Sequence, residues 1–474
     1  MKRILTLIGI AAVGTTFIFA TVPLKITEKN KSGYKLTIVG KTDPSASVTV
    51  DGNKVKVYSS GCFGTTVNLG MGMNDIPVIA SKRGEKAVEH IVIDHQASLK
   101  PIKEEKAILR KKADFTVTTK DGAYLQYGDG TDRLGASKMG YIDKNIPLKV
   151  IEEIPNLLYK VQLSANRYAY VPTDLVKKDP ANTSAVNSGN MKARNIGKAD
   201  RLTITMPARR AYCSWTEIDP AAICIDLFAT QCNSNWLTHV DGLAMIDYVD
   251  FRQVEGDVMR VIIHLKSKNI WGYSVGYDGN ILTVDVRHHP SSNIKDLTIG
   301  LDAGHGGKHP GAVGHSGLTE KEINLKLVML VKERLEKRGA KVVLSRKDDS
   351  DVTMAERKKI FKDANVDLAI SIHNNAGGSP IEEMGSSTYY KHIFCRRLAE
   401  TMRRHLLDLG FKDFGLTGNF NFALNQPTEY PNALLEVLFM SSLPDEEKLL
   451  DPKWQRKIAD AVVDGILEYV KNSD

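Results

Sequence analysis

Hydrophobic and polar residues alternate in short runs along most of the first 290 residues of the chain. In Lys35-Leu36-Thr37-Ile38-Val39 and Ser47-Val48-Thr49-Val50, apolar side chains recur at every second position, which is the period of a β-strand with one buried face. Pairs such as Asp51-Gly52 separate the runs and favour tight turns. The pattern predicts short strands joined by turns throughout this part of the chain.

The β-rich part divides into three predicted domains separated by two polar segments. We expect a β-sandwich over residues 21–102, a set of short strands over 113–177 and a third β-domain over 199–289. The charged stretch 103–112 and the Asn- and Ser-rich stretch 179–198 are predicted to be linkers. In chain order the three domains resemble immunoglobulin-like, bacterial SH3-like and AMIN-type β-domains, which implies binding or spacer roles.

From residue 296 onward, strand-like runs alternate with helical ones. The residues Ile323, Leu327, Val331 and Leu335 keep the spacing of one helix face. Alternating strands and helices predict an α/β domain over residues 294–474, with helices on both faces of the sheet. In such sheets, functional sites form at the carboxyl ends of the strands. Predicted strands cover 297–301, 341–344, 366–372, 386–390 and 433–437, and further helices cover 354–364, 393–409 and 453–471.

Composition and charge narrow the class of protein. The 474 residues, with 42% hydrophobic and 25% charged residues, indicate several globular domains and exclude a disordered, collagenous or polytopic membrane protein. The net charge of +8 is mild, and the basic excess lies before residue 290. This excess favours an acidic polymer or surface as partner and is too weak to indicate nucleic-acid binding.

The N-terminus has the pattern of a secretory signal. Lys2 and Arg3 precede an apolar stretch that ends at Ala20, so we expect a signal peptide over residues 1–20, with an uncleaved anchor as the alternative. The protein is therefore predicted to be exported to the periplasm or cell envelope, with membrane contact only through this segment. The spacing of Cys213, Cys224 and Cys232 leaves one local disulfide open.

Three residues with metal-binding side chains stand at the ends of predicted elements. His305 follows the first predicted α/β strand, His373 ends the most apolar strand, and Glu320 opens the first helix. Two imidazoles and one carboxylate with an open fourth position are typical of catalytic zinc sites in hydrolases. The sequence therefore predicts that these three residues bind Zn²⁺.

Helix capping separates the two neighbouring glutamates. Thr319 and Glu322 have the spacing of a capping box, in which the glutamate reaches back to the backbone of the threonine. This role accounts for Glu322 and leaves Glu320 free to face the metal. His309 and His315 lie in the same glycine-rich stretch and are predicted to be surface residues.

The segment 297–471 resembles the zinc-dependent N-acetylmuramoyl-L-alanine amidases known as amidase type 3. The resemblance implies that His305, Glu320 and His373 bind zinc, and that Glu436 acts in catalysis. The implied substrate is peptidoglycan, cut between N-acetylmuramic acid and the L-alanine of the stem peptide. The matching motifs, in the order of the family, are Asp302-Ala303-Gly304-His305-Gly306-Gly307 with Gly311, Glu320-Lys321-Glu322-Ile323-Asn324-Leu325, Ser345-Arg346 with Asp349, Arg357, Ser371-Ile372-His373-Asn374-Asn375, and Leu435-Glu436.

Four further motif residues are candidates for substrate binding or for supporting the metal ligands: Asn374, Asn375, Arg346 and Arg357. For the two arginines we expect ion pairs that brace the sheet and its loops. The chain departs from the family after Glu436, where Leu438 replaces a glycine and Ser442 an asparagine. This departure predicts a differently shaped cleft.

Three functions are compatible with these observations. The first is an exported zinc amidase acting on peptidoglycan in cell-wall remodelling, daughter-cell separation or lysis, with envelope division or activator proteins as candidate partners. The others are a wall-binding protein with an inactive amidase domain and a zinc peptidase acting on the stem peptide. Residues 376–385 contain too many glycines for a blocking helix, so we expect an isolated domain of about residues 290–474 to need no separate activator.

Overall fold

A computed structural model describes residues 22–96, 109–130 and 135–472, and the chain divides into two compact units at residue 100. The predicted signal peptide and most of the predicted first linker lie outside the described residues. Within the described parts, no helix combines the length and the apolarity needed to cross a membrane.

The first unit consists of two antiparallel sheets around one core. Strands β1, β2 and β5 form one sheet, and β4, β3, β6 and β7 form the other. Leu36, Val48, Phe63 and Val78 are fully buried members of the shared core, as period-2 patterning requires. The strands are β1 Leu24–Ser32, β2 Lys35–Thr42, β3 Ser47–Val50, β4 Asn53–Val55, β5 Cys62–Asn68, β6 Gly72–Lys82 and β7 Glu85–His95.

The second unit begins with seven strands in one antiparallel sheet, ordered β10-β9-β13-β12-β11-β8-β14. We call this the middle β-domain. Its inward residues, among them Val117, Leu148 and Val161, are fully or almost fully buried. The strands are β8 Lys111–Thr119, β9 Tyr124–Gln126, β10 Lys138–Tyr141, β11 Pro147–Ile154, β12 Leu158–Gln162, β13 Tyr168–Pro172 and β14 Val176–Lys178.

A third β-domain follows, with a five-stranded sheet, a four-stranded sheet and a two-stranded pair. The prediction of a linker over 179–198 is wrong for its second half. There, β16 pairs with β17 and buries Met191 and Ala193 in the core, because both residues lie on the inward face of the strand. The strands are β15 Val186–Asn187, β16 Met191–Asn195, β17 Ala199–Thr205, β18 Tyr212–Ile218, β19 Ala221–Phe228, β20 Thr230–Gln231, β21 Leu237–His239, β22 Ile246–Glu255, β23 Val258–Leu265, β24 Tyr273–Asp278 and β25 Ile281–Arg287.

The C-terminal part is an α/β domain with a six-stranded sheet of order β27-β26-β28-β31-β29-β30. Strands β27, β26, β28 and β31 are parallel, whereas β29 runs antiparallel to β31 and β30 is parallel to β29. The elements are β26 Thr298–Ala303, α1 Glu320–Lys337, β27 Lys341–Leu344, α2 Met354–Asp363, β28 Leu368–Asn375, β29 Ser386–Tyr389, α3 Arg396–Leu407, β30 Asp413–Thr417, β31 Asn432–Phe439, α4 Leu443–Leu450 and α5 Pro452–Lys471.

Helices cover both faces of this sheet, as predicted. Ile299 and Ile370 point into the core shared with α1, α3 and α5. Gly300 and Ala369, the strand neighbours of Ile299 and Ile370, face Phe361 of α2 on the other side. Because β26, β28 and β31 are parallel, their carboxyl ends lie along one edge of the sheet.

The third β-domain and the α/β domain share buried contacts. Trp271, in the segment predicted to be AMIN-like, is fully buried in the core of the α/β domain, with its ring 5.6 Å from that of Tyr469. Arg287 of β25 donates to the carbonyl of Val366 at 2.6 Å and forms an ion pair with Asp367 at 2.5 Å. A cut near residue 290 therefore passes through packed structure rather than through a linker.

Candidate metal centre and catalytic cleft

The loop that follows β26 carries His305 in an unusual backbone conformation. His305 has φ of 63°, in the left-handed region that non-glycine residues rarely adopt and that clusters at functional sites. A Cβ at the preceding Gly304 would lie 2.3 Å from the ring of His373, so only glycine permits this approach of β26 to β28. The loop therefore places the two imidazoles side by side, with ring centroids 4.9 Å apart.

Two buried arginines hold the His305 loop from below. Arg357 of α2 is 1% exposed; it pairs with Asp302 at 2.7 Å and donates to the carbonyls of Ala303 and His305. Arg346 donates to the carbonyls of Ala303 and Gly304 at 2.8 and 3.0 Å. Both side chains are buried and brace the loop, as expected for them. The expected ion pair is found for Arg357, whereas the hydrogen bonds of Arg346 go to backbone carbonyls.

The N-terminus of α1 presents Glu320 to both histidines. The predicted capping box is confirmed: the backbone N–H of Thr319 donates to the Glu322 carboxylate at 3.0 Å. Glu320, the residue after Thr319, is 4% exposed and faces inward. Its carboxylate oxygens lie 3.0 Å from Nε2 of His305 and 2.9 Å from Nδ1 of His373. The histidine and glutamate donor atoms of the three residues all lie within 4.8 Å of one another, which is close enough to hold one metal ion.

Three hydrogen bonds fix the orientation of the Glu320 carboxylate. The backbone N–H groups of Ala312 and Asn374 donate to it at 2.9 and 3.1 Å, and the amide of Asn324 donates at 3.3 Å. Asn324 is fully buried and also accepts from the side chain of Asn374 at 2.9 Å. Asn374 thus supports the Glu320 carboxylate and is itself buried. Outer partners of this kind orient metal ligands and tune their affinity.

The charges of the cluster are strongly coupled. Burial alone would raise the pKa of Glu320, but hydrogen bonds with His305 and His373 hold it well below its ordinary range. Burial opposes protonation of His373, yet the hydrogen bond with Glu320 and the charge of Glu436 raise its pKa to about 9. The pKa of Asp302 is lowered, because the charges of Arg357 and His373 and the hydrogen bonds from Ser345 and Ser371 together outweigh the cost of burial.

Glu436 lies on β31 beside the cluster. In the parallel pairing of β28 with β31 it is the partner of His373, so both side chains leave the same face of the sheet. It is 7% exposed in an otherwise apolar strand. A carboxylate in such surroundings costs free energy unless other groups stabilise its charge, and His373 is one group that interacts with it.

An aromatic wall, formed by Tyr389, Phe420 and Phe422, closes one side of the cleft. The ring of Phe422 lies 6.4 Å from that of His373, with planes only 19° apart. Phe420 packs edge-on against Phe422 at 4.3 Å and lies 4.7 Å from Tyr389. Both phenylalanines are partly exposed. Sequence reasoning missed this wall, although the alternation Asn419-Phe420-Asn421-Phe422 signals a segment with two unlike faces.

Comparisons with known proteins give the chain its family. Residues 299–468 match the family described as N-acetylmuramoyl-L-alanine amidase. The germination-specific N-acetylmuramoyl-L-alanine amidase of Bacillus subtilis (strain 168) is 33% identical over 191 residues, which are 36% of this chain and 78% of that protein. The chain belongs to the N-acetylmuramoyl-L-alanine amidase family. The sequence-based prediction of a peptidoglycan amidase is therefore supported over the two alternatives.

Two further relatives of this amidase each match less than half of the chain. The amidase LytC of Bacillus subtilis (strain 168) is 32% identical over 210 residues, which are 43% of this chain and 42% of LytC. The catalytic domain of the amidase CwlV from Bacillus (Paenibacillus) polymyxa var. colistinus is 34% identical, covers 36% of this chain and 97% of its own, and has a TM-score of 0.35.

The two departures of this amidase from the family motif, Leu438 and Ser442, are both buried. Leu438 is fully buried in the core, and its N–H donates to Asn374 Oδ1 at 3.3 Å. Ser442 is also fully buried, where it begins α4 and donates to the carbonyl of Glu382 at 2.7 Å. Both residues pack inside the α/β domain, Leu438 next to Asn374 and Ser442 next to the loop 376–385, and the differently shaped cleft stays a prediction.

The remaining candidates of the amidase domain occupy different places. Asn375 is partly exposed and hydrogen-bonds the Tyr389 hydroxyl, so it lies within the cleft. His309 has a largely exposed side chain, as predicted. His315 is partly exposed and hydrogen-bonds the carbonyl of Ser441 at 2.9 Å. All five cysteines are free thiols, and the local disulfide left open by their spacing is not formed.

Proposed function

We propose that the amidase is zinc-dependent and that His305, Glu320 and His373 are the ligands. Two neutral imidazole nitrogens and one carboxylate are a common ligand set of catalytic zinc. The donor atoms of these residues converge within 4.8 Å, and this convergence is the observation that carries the proposal. The hydrogen bonds from Ala312 and Asn374 to Glu320 support it, since they hold the carboxylate toward the histidines.

When bound, zinc supplies an acidified water and polarises the carbonyl of the amide that is cut. In the proposed mechanism Glu436 is the general base. It accepts a proton from the attacking water and delivers it to the nitrogen of L-alanine as that bond breaks. The position of Glu436 beside His373 in the β28–β31 pairing supports this role. A positioned acid or base of this kind contributes typically 10²- to 10⁴-fold to the rate.

The test uses the full chain and purified peptidoglycan. Mass analysis of the products should show free stem peptides beginning with L-alanine, together with glycan strands whose lactyl groups are free acids. A chelator should abolish release and added Zn²⁺ should restore it. Products cut inside the stem peptide would identify a zinc peptidase instead.

A variant separates metal binding from proton transfer. Glu436→Gln keeps the shape of the side chain but removes the base, so we expect zinc content near that of the wild type and a rate about 10²- to 10⁴-fold lower. His373→Ala should lose both zinc and activity. If Glu436→Gln retained the wild-type rate, another group would have to be the base.

We further propose that the chain is exported, and that the immunoglobulin-like (21–102), SH3-like (113–177) and AMIN-like (199–289) domains direct it to the cell wall. The basic excess of this part of the chain supports contact with an acidic envelope polymer. Sedimentation of the full chain and of residues 101–474 with purified walls tests the contribution of the first domain. Equal binding by both would assign wall contact to the remaining domains.

A further inference from the structure

The segment 418–422 connects the cleft to the middle β-domain. Along it, Asn419 and Asn421 alternate with Phe420 and Phe422, which is the alternation of an extended chain with two faces. The phenylalanines lie in the aromatic wall beside His373. The asparagines point the other way, toward residues 135–138 of the middle β-domain.

Asn421 binds that domain through both ends of its amide. Its Nδ2 donates to the carbonyls of Ala136 and Gly135 at 2.8 and 3.3 Å. Its Oδ1 accepts from the backbone N–H of Lys138 at 3.4 Å. Because all three contacts are with backbone groups, they depend on the backbone conformation of residues 135–138 and not on the side chains there.

Lys391 closes the same network from the α/β domain. Its ammonium donates to Oδ1 of Asn419 and Asn421 at 2.7 and 3.1 Å, and to Oγ of Ser137 at 3.4 Å. We call Asn419, Asn421 and Lys391, with residues 135–138, the clamp. The clamp ties the outer face of the segment 418–422 to the middle β-domain, about 280 residues earlier in the chain.

The inner face of the segment is held by ring packing and by the backbone N–H of Phe420, which donates to the carbonyl of Tyr390 at 3.0 Å. Phe420 and Phe422 contact each other and Tyr389 but are partly exposed, so their position depends on the backbone that carries them. A shift of about 1 Å in a substrate-positioning group can lower a rate by up to about 10²-fold. The clamp is therefore placed to control the shape of the cleft beside the metal centre.

We propose that the middle β-domain is a structural part of the catalytic cleft. Through the clamp, it positions the aromatic wall against the muramoyl-peptide substrate, and Asn421 is the main positioning residue. This inference rests on the proposed function, since it takes the cleft beside His305, Glu320 and His373 as the place of hydrolysis. It assigns the domain a role in turnover that is separate from any role in binding the wall.

The test compares two variants on soluble and insoluble substrate. Asn421→Ala removes the three bonds of the Asn421 amide with residues 135–138 and leaves the bonds of Asn419 and Lys391 to Ser137 in place. The matched control Lys358→Ala removes a different contact between the same two domains, the bond from Lys358 Nζ to the hydroxyl of Tyr141 at 3.1 Å. Each full-length variant is assayed on purified peptidoglycan and on soluble muropeptides released from it by a glycosidase, and Tm and zinc content are measured alongside.

We expect Asn421→Ala to lower kcat/KM on the soluble muropeptides by at least about tenfold, mainly through KM, with Tm and zinc content near those of the wild type. Lys358→Ala should stay within about twofold. Lys391→Met, which weakens the clamp from the other side, should repeat the effect of Asn421→Ala. Hydrogen exchange of the 418–422 amides, which needs no turnover, should become faster in both clamp variants and not in the control.

Two results would overturn the inference. One is an Asn421→Ala enzyme that is slow on insoluble peptidoglycan but normal on soluble muropeptides, which would limit the domain to wall targeting. The other is unchanged exchange of the 418–422 amides. The wild-type rate on either substrate tests the proposed function separately, so failure of one does not imply failure of the other.

Discussion

The buried pair of Arg357 and Asp302 gives the sharpest test of how the metal centre is supported. Replacing Arg357 by methionine keeps much of the volume of the side chain and removes the charge. Asp302, 1% exposed, would then lose its 2.7 Å ion pair and keep the hydroxyls of Ser345 and Ser371, at 2.5 and 2.6 Å, and the influence of the His373 charge. Breaking a buried pair from one side costs about 3–5 kcal/mol, because a charge is left without compensation.

Because the two hydroxyl donors remain, we expect Arg357→Met to lower the free energy of unfolding by about 3 kcal/mol, the lower end of this range. For a domain of 150–250 residues this corresponds to a loss of about 6–12 °C in Tm. Because the loss of Arg357 raises the pKa of Asp302 above its unfolded value, the folded variant binds more protons than the unfolded one. Its stability should therefore recover partly as the pH falls from 7 to 5.

The assay is thermal and urea unfolding of the full chain, with two comparison variants. Arg338→Ala removes an exposed arginine directly after the last residue of α1 and should change stability by less than about 0.5 kcal/mol. The double variant Asp302→Asn with Arg357→Met leaves no charge at either position of this pair and should be more stable than Arg357→Met alone. A loss below about 1 kcal/mol in Arg357→Met, or no recovery in the double variant, would refute the account of an uncompensated charge.

Three further predictions follow from the site and its surroundings. Glu320→Gln should lower zinc affinity at least about tenfold, whereas Glu322→Gln should not, because glutamine can still form the capping box. Calorimetric titration with Zn²⁺ measures both affinities, and a loss in Glu322→Gln without one in Glu320→Gln would refute the choice of Glu320 as ligand. Burial lowers the pKa of His392 to about 4, so between pH 6.5 and 4 the unfolded chain binds a proton that the folded chain does not, and stability falls as the pH falls. Because the ring is partly exposed, we expect a loss of about 1 kcal/mol between pH 7 and 5. Urea titrations of His392→Gln should show no such loss. The fragment 290–474 lacks Trp271, so its Tm should be at least several degrees below that of the fragment 101–474, and its rate on peptidoglycan should be lower. Neither fragment should need an added activator. Equal Tm and equal rate would refute a core shared by the two domains.

Local patterns in the sequence were enough to predict the elements and the candidate ligands. Period-2 runs predicted the β-rich N-terminal part, and the helical spacing of Ile323, Leu327 and Val331 predicted the buried face of α1. The capping box separated Glu320 from Glu322 because capping involves only residues three positions apart. The loop between β28 and β29 was also predicted, because a glycine-rich segment disfavours a helix.

The contacts that join distant parts of the chain were decided by tertiary structure alone. Nothing near Trp271 shows that it belongs to the α/β core, and nothing near Asn421 shows that its amide binds residues 135–138. The burial of Arg357 beneath His305 likewise depends on how α2 packs on β26. A local pattern records only which face of an element is apolar or which residue caps it. The partner of that face is chosen by packing over the whole chain, and so the support of the metal centre and the wall of the cleft appear only in the folded protein.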